Sequence, residues 1–125
     1  MKKLIITLLV LLPLVSLSKD TIKSNTLRKQ LLKAGIQHSE IVLKQAILET
    51  GWFKSSAFKT KNNLWGFTYK GKVMTFKSIS HCIDYMKKWQ DKYYISKEWK
   101  DYYEFLKKKG FASDSLYIKK LKSIK

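Results

Sequence analysis

Apolar residues recur at helical spacing along most of the chain. The pattern predicts a first helix over residues 21–34 and a second over residues 40–50, with Ser39 as its N-cap and Gly51 at its C-terminal end. The second helix is apolar on nearly every side, which is typical of a helix at the centre of a core. Three later stripes predict further helices, over residues 79–93 (with Ser78 as N-cap), 97–109 and 114–124. The first of these stripes is predicted to face the core and consists of Ile79, Cys82, Ile83, Met86, Trp89 and Tyr93.

The helical period is interrupted once. A polar stretch leads into Trp65, Phe67 and Tyr69, which alternate with smaller or polar residues. A turn at residues 70–71 and a second β-prone run over residues 73–76 complete a hairpin. The sequence therefore predicts a mainly α fold of the α+β class, a helical lobe with one small β-hairpin after the central helix.

The N-terminus has a different character. Two lysines precede an uncharged apolar run, residues 4–17, and Ser16 and Ser18 lie where cleavage requires small residues. We interpret residues 1–18 as a cleaved secretory signal peptide, followed by one domain over residues 19–125. A secreted, periplasmic or cell-envelope location follows, and an uncleaved membrane anchor is the alternative.

The chain is strongly basic, with 26 lysines and arginines against 9 acidic residues, a net charge of +17. Two of the basic residues lie in the predicted signal peptide and all nine acids follow it, which leaves 24 minus 9, or +15. Such a charge attracts polyanions. A secreted protein meets anionic envelope polymers far more often than nucleic acid, so we expect no nucleic-acid partner. Nothing in the sequence indicates more than a monomer.

Glu49 is the acidic residue hardest to explain as a surface charge. It lies at the C-terminal end of the central helix, where the helix dipole disfavours negative charge, and its apolar neighbours Leu48 and Trp52 would exclude water. Both effects raise a carboxyl pKa and favour a proton donor near neutral pH. A solvent-facing glutamate paired with Lys54 is the alternative.

The remaining candidates are weaker. Asp84 lies in an aromatic-rich helix but could pair with Lys88 one turn on, and Asp101 could pair with a lysine of its own helix. His38 and His81 are isolated, without metal-ligand spacing, so the sequence predicts neither a metal nor a cofactor. Aromatic residues interleaved with lysines could stack on sugar rings or nucleobases, or fill a core.

Three segments together resemble a known family. Residues 42–67, "VLKQAILETGWFKSSAFKTKNNLWGF", resemble the signature of the family 73 glycoside hydrolases, the bacterial endo-β-N-acetylglucosaminidases of peptidoglycan. "FKSISHCIDYMKKW" and "GFASDSLYIKKL" are similar to the family's later motifs, in the family's order. The resemblance covers about residues 27–124, nearly the whole predicted domain.

This resemblance implies a lysozyme-like fold, with a helical lobe and a small β-lobe over a cleft that binds peptidoglycan glycan strands. It implies that Glu49 is the general acid and that Tyr117 lies near it and supports the reaction, although Tyr117 could also be a core residue. Substrate-binding roles are expected for Trp52, Asn63, Trp65, Phe67 and Asp84. A mere turn is the alternative explanation of the asparagine pair.

One departure from the family bears on mechanism. Members often carry a second acid in the hairpin, and "GFTYKGKVMTF" contains none. Substrate assistance by the sugar's N-acetyl group needs only one acid, and so does a lytic transglycosylase. A non-catalytic cationic module that binds glycan or envelope polymers on the same fold is the other class of function left open.

Overall fold

The computed structural model describes residues 21–111 and 116–125. Its elements, in chain order, are α1 (Thr21–Lys33), α2 (Ser39–Thr50), α3 (Ser56–Lys61), β1 (Thr68–Tyr69), β2 (Lys72–Val73), α4 (Ile79–Tyr93), a 3₁₀ turn (Ser96–Glu98), α5 (Tyr102–Lys108) and α6 (Tyr117–Ser123). The predicted mainly helical, lysozyme-like fold with one small antiparallel hairpin is confirmed. The predicted signal peptide lies outside the described residues. Within them, no helix is long and apolar enough to span a membrane.

Helix α2 is the centre of the core, as predicted. Val42, Leu43, Ala46 and Ile47 are all buried, so the helix has apolar contacts on several sides. Helices α1 and α6 both pack against α2. Each fully buried aliphatic side chain contributes roughly 1.5–3 kcal/mol to folding. This burial fixes the position of α2, and therefore of the glutamate in its last turn.

The N-terminal end of α2 differs from the prediction, and its C-terminal end agrees with it. The N-cap is His38, in a left-handed conformation with φ 52°, and Ser39 is already the first helical residue. At the other end Gly51 is left-handed, as expected, and its cap hydrogen bonds satisfy carbonyls of the last turn. Trp52 and Phe53 then continue with positive φ angles of 60° and 66°. The chain thus makes a sharp left-handed turn directly after the helix.

The segment between α2 and α4 contains a helix that the sequence does not predict. Helix α3 has six residues, none of them buried, and Ser55 caps it by accepting a hydrogen bond from the backbone N–H of Phe58. The hairpin follows but is shorter than predicted, with only Thr68 opposite Val73 and Tyr69 opposite Lys72. Its two turn residues have positive φ angles, as a tight hairpin turn of this kind requires.

In the second half, Ser78 caps α4 as predicted. The predicted helix over residues 97–109 is wrong in its first half, which is a 3₁₀ turn followed by extended residues. Asp101 begins α5 instead, because its carboxylate accepts a hydrogen bond from the backbone N–H of Glu104 at 2.8 Å. The predicted start of the last helix near Asp114 lies outside the described residues, and α6 begins at Tyr117.

Candidate active site

An open cleft of about 540 Å³ lies between the end of α2, the loop before the hairpin, and helix α4. Aromatic side chains form most of its wall. Its lining consists of Glu49, Trp65, Gly66, Phe67, Thr68, Tyr85, Trp89, Tyr93, Lys109 and Phe111. Glu49 is the one carboxylate among these residues. Aromatic rings beside a carboxyl group suit a ligand that presents ring faces and polar oxygens together.

Glu49 points into this cleft from the last turn of α2. Its side chain is accessible to solvent at the cleft, yet the surrounding protein excludes enough water for desolvation to raise the carboxyl pKa. The hydroxyl of Tyr117 donates a hydrogen bond to the carboxyl and offsets part of this rise. The net direction is upward, as the sequence predicts for a proton donor.

Tyr117 is itself held by a residue to which sequence reasoning assigns no role. Gln45 lies one turn before Glu49 on the same face of α2 and is completely buried. Its side-chain N–H₂ donates to the Tyr117 hydroxyl oxygen at 3.4 Å. Because that oxygen accepts from Gln45, the hydroxyl hydrogen is directed towards Glu49. Burial raises the Tyr117 pKa, so the hydroxyl keeps its hydrogen across the physiological pH range.

The Gln45 amide is only partly satisfied. Among the described residues, its side-chain carbonyl oxygen is buried without a hydrogen-bond partner. An unpaired buried polar atom costs about 1–3 kcal/mol, which an apolar residue at this position would avoid. We therefore interpret the hydrogen bond to Tyr117 as the feature that explains a glutamine at this buried position.

The loop before the hairpin brings its backbone against Glu49. Gly66 has a φ of 70°, and a Cβ atom there would lie 3.3 Å from a carboxylate oxygen of Glu49. Only glycine combines this conformation with such a close approach at little cost. Gly66 therefore leaves the carboxyl open on the side of the cleft.

Asn63 organises the same loop. Its side-chain N–H₂ donates to the carbonyl oxygens of Phe67 and Met74 at 2.9 and 3.0 Å, and its side-chain oxygen accepts from the backbone N–H of Phe67 at 3.1 Å. The residue is buried. Its amide donors are thus occupied within the protein, where they hold the loop that forms part of the cleft wall, and the substrate contact expected of Asn63 stays a prediction.

A model of the glucosaminidase family, described as Mannosyl-glycoprotein endo-beta-N-acetylglucosaminidase, matches residues 24–125. The match covers most of the chain and contains both Glu49 and Tyr117. The chain belongs to this glucosaminidase family. No curated protein and no solved structure gives a significant match.

The structure places the other predicted binding residues in different parts of the molecule. Phe67 lines the cleft, and so does Trp65, although Trp65 is only 2% exposed and its indole N–H donates to the carbonyl oxygen of Val42 at 2.9 Å. Trp52 is half-buried against the core and is not part of the cleft lining. Asp84 lies in a separate depression between α1 and α4, apart from the cleft that contains Glu49, and its substrate-binding role stays a prediction.

Sequence reasoning places some of the residues that line the cleft in the core. Trp89 and Tyr93 belong to the predicted core stripe of α4, yet they line the cleft together with Tyr85. The four-residue spacing of these three aromatic residues was the available signal, because it puts them on one helix face beside the buried stripe of Cys82 and Met86. No group of three or more metal-ligating side chains occurs in the described part of the chain.

Proposed function

We propose that this chain is a peptidoglycan hydrolase that cleaves β-1,4 glycosidic bonds on the N-acetylglucosamine side, with Glu49 as the general acid. The observation that carries the proposal is the Glu49 carboxyl, which opens on an aromatic cleft, has a raised pKa and accepts a hydrogen bond from Tyr117. Membership of a family of glycoside hydrolases supports the reaction class.

The proposed first step uses the proton that Glu49 retains. As the bond between the anomeric carbon and the leaving oxygen breaks, Glu49 transfers its proton to that oxygen. The carboxyl becomes negatively charged, and the hydrogen bond from Tyr117 strengthens because it now ends on an anion. Gln45 keeps the hydroxyl hydrogen of Tyr117 pointing at the carboxyl throughout this step.

Glu49 alone among the described cleft residues carries a carboxylate, and this favours a reaction that needs one acid. In the substrate-assisted form, the N-acetyl carbonyl oxygen attacks its own anomeric carbon as the leaving group departs, and a cyclic intermediate forms. Water then attacks the anomeric carbon, the bond from the N-acetyl oxygen to that carbon breaks to restore the N-acetyl group, and the water's proton passes to the Glu49 carboxylate, which restores the acid. The second candidate, a lytic transglycosylase, is favoured by the same observation, with a hydroxyl group of the substrate replacing water.

We also propose that the enzyme works outside the cytoplasm as a monomer, in a secreted, periplasmic or cell-envelope location. Its excess of basic residues, 24 minus 9 or +15 once the predicted signal peptide is removed, would retain it on anionic envelope polymers. Attraction of this kind is screened by salt, so binding to isolated cell walls should weaken steeply between low and physiological ionic strength.

The test is digestion of purified peptidoglycan by the protein and by its Glu49→Gln variant, with products identified by mass spectrometry. We expect reducing N-acetylglucosamine ends, released about 10²–10⁴-fold more slowly by the variant. Anhydro-muramic ends would identify the lytic transglycosylase instead. Wall binding without cleavage by either protein would refute both and leave the non-catalytic cationic module.

A further inference from the structure

Two lysine side chains converge on one tyrosine at the rim of the cleft. The ammonium nitrogen of Lys109 lies 4.1 Å from the ring centroid of Tyr93, and that of Lys92 lies 5.2 Å from the same centroid. Tyr93 is 37% exposed, and both it and Lys109 line the cleft that contains Glu49. Positive charge is thus concentrated at the edge of the candidate active site.

No acidic side chain in the described part of the chain neutralises this pair of ammonium groups. Asp91, the acid adjacent to Lys92 in sequence, is bound by Lys87 at 2.6 Å. Glu104, on the helix that precedes Lys109, accepts a hydrogen bond from the backbone N–H of Lys100 at 3.2 Å. The tyrosine ring attracts each cation, but the two cations repel one another. An anionic ligand at the rim would relieve this repulsion.

We propose that Lys109, with Lys92 and Tyr93, forms a carboxylate-binding site at the rim of the cleft, and that its ligand is a carboxylate carried by the glycan strand. The site favours an anionic glycan over a neutral polymer of N-acetylglucosamine. This inference rests on the proposed function, because it specifies the substrate of the same cleft.

The position of Lys109 is suited to this role. Lys109 is the C-cap residue of helix α5. Its backbone N–H donates a hydrogen bond to the carbonyl oxygen of Phe105 at 2.9 Å, which fixes the backbone of Lys109 beside the cleft. The ring centroid of Trp89 lies 5.8 Å from that of Tyr93 and 5.5 Å from that of Phe111. Sugar rings that cross the cleft would therefore meet aromatic side chains next to the lysine. Lys109 is exposed to solvent, and its contact with the Tyr93 ring holds the ammonium group at the edge of the cleft, where a carboxylate can reach it.

The test measures binding by calorimetry in the Glu49→Gln background, which is expected to slow turnover by about 10²–10⁴-fold. The ligands are peptide-free glycan strands with free lactyl carboxylates, the same strands after amidation with methylamine, and neutral N-acetylglucosamine oligomers. Strands that retain their peptides, in which the lactyl group is already an amide, distinguish peptide carboxylates from the lactyl group as the source. Lys109→Met is compared with Lys109→Arg and with Lys108→Met, which removes an exposed charge outside the cleft lining.

We expect Lys109→Met to weaken binding of carboxylate-bearing strands by about tenfold, as for the loss of a hydrogen bond to a charged group. Binding of amidated strands and neutral oligomers should be unchanged, and Lys109→Arg and Lys108→Met should stay within about twofold of the parent. An equal loss on amidated strands, no loss on any strand, or no strand binding at all would overturn the inference.

A parallel cleavage assay with the unsubstituted protein separates this inference from the proposed function. Lys109-dependent binding of carboxylate-bearing strands without any cleavage would refute the hydrolase and support the carboxylate site. If the parent protein and Lys109→Met cleave carboxylate-bearing strands at equal rates, the carboxylate site is refuted and the hydrolase is supported.

Discussion

Replacement of Tyr117 by phenylalanine should destabilise the protein by more than one ordinary hydrogen bond. The hydroxyl is the described partner of the Gln45 side-chain N–H₂, and the Gln45 carbonyl oxygen already has none among the described residues. After Tyr117→Phe, a fully buried amide would be unpaired at both ends. We expect a loss of about 2 kcal/mol in the free energy of unfolding, within the ~1–3 kcal/mol range for a stranded buried donor.

The decisive comparison repeats the substitution in a Gln45→Met background. Methionine has nearly the shape of glutamine and carries no strong donor or acceptor, so no buried amide remains to be stranded. In that background Tyr117→Phe should cost about 1–2 kcal/mol less than in the parent. The hydrogen bond from Tyr117 to Glu49 is lost in both backgrounds, so the difference isolates the Gln45–Tyr117 contact.

Thermal unfolding and urea unfolding at one pH provide the measurement. For a domain of this size, 1 kcal/mol corresponds to a shift of roughly 4–8 °C in Tm, so the two backgrounds should differ clearly. Unchanged urea m-values would show that the substitutions act on stability alone. If Tyr117→Phe lowers the free energy of unfolding equally in the two backgrounds, within about 0.5 kcal/mol, the Gln45–Tyr117 hydrogen bond contributes no measurable stability and the reasoning is refuted.

Three further predictions follow from individual contacts. Because its pKa is raised in the folded state, Glu49 costs stability as the pH rises through that pKa; Glu49→Gln should therefore unfold at a higher temperature than the parent at neutral pH, with the gap closing in acid. A Tm difference independent of pH would contradict this. Gly66→Ala should lower stability by about 1–2 kcal/mol and also reduce kcat, because the new methyl group presses on the Glu49 carboxyl. A stability loss with kcat unchanged would show that the carboxyl is unaffected. Asn63→Ala should cost about 2–3 kcal/mol in urea unfolding and speed proteolysis of the hairpin loop, since it leaves the Met74 carbonyl oxygen and the Phe67 backbone N–H without their described side-chain partner. Weaker substrate binding at parental stability would instead support direct contact with sugar.

The main helices are predictable because their signal is local. Apolar periodicity places α1, α2 and α4 within about a residue of their observed bounds, since one face of each must be buried. Helix α3 gives no such signal, because none of its six residues is buried. The start of α5 is set by the Asp101 cap, and the sequence pattern favours an ion pair for that aspartate instead.

The site is less accessible to local reasoning because its parts are distant in sequence. Spacing alone identifies Glu49 as unusual, but its partner Tyr117 lies on the last helix and is implied only by the family resemblance. Asp84 and Tyr85 are neighbours in sequence, yet Tyr85 lines the cleft and Asp84 lies in a different depression. A helix turns by about 100° per residue, so a family motif that contains both residues does not put both in one site.

The turn after α2 shows how the fold keeps Glu49 available. Trp52 and Phe53 both have positive φ angles, which cost roughly 1–2 kcal/mol for each residue other than glycine. Thr50 offsets part of this cost, because its buried hydroxyl accepts a hydrogen bond from the backbone N–H of Phe53 at 2.8 Å and donates one to the helix backbone at 2.7 Å.

If α2 continued for another turn, its next residues would lie over the Glu49 side chain and separate it from the cleft. The left-handed turn ends the helix at the residue after Glu49 and directs the chain away towards α3. Glu49 is therefore held in place by the buried face of α2, and it remains reachable because the helix ends one residue after it. The strained turn, the half-satisfied Gln45 amide and the desolvated carboxyl all reduce stability in the same few residues. All three lie at or beside the carboxyl that is proposed to act as the acid, where a functional site is expected to reduce stability. The apolar burial of α2 supplies the stability that offsets these costs.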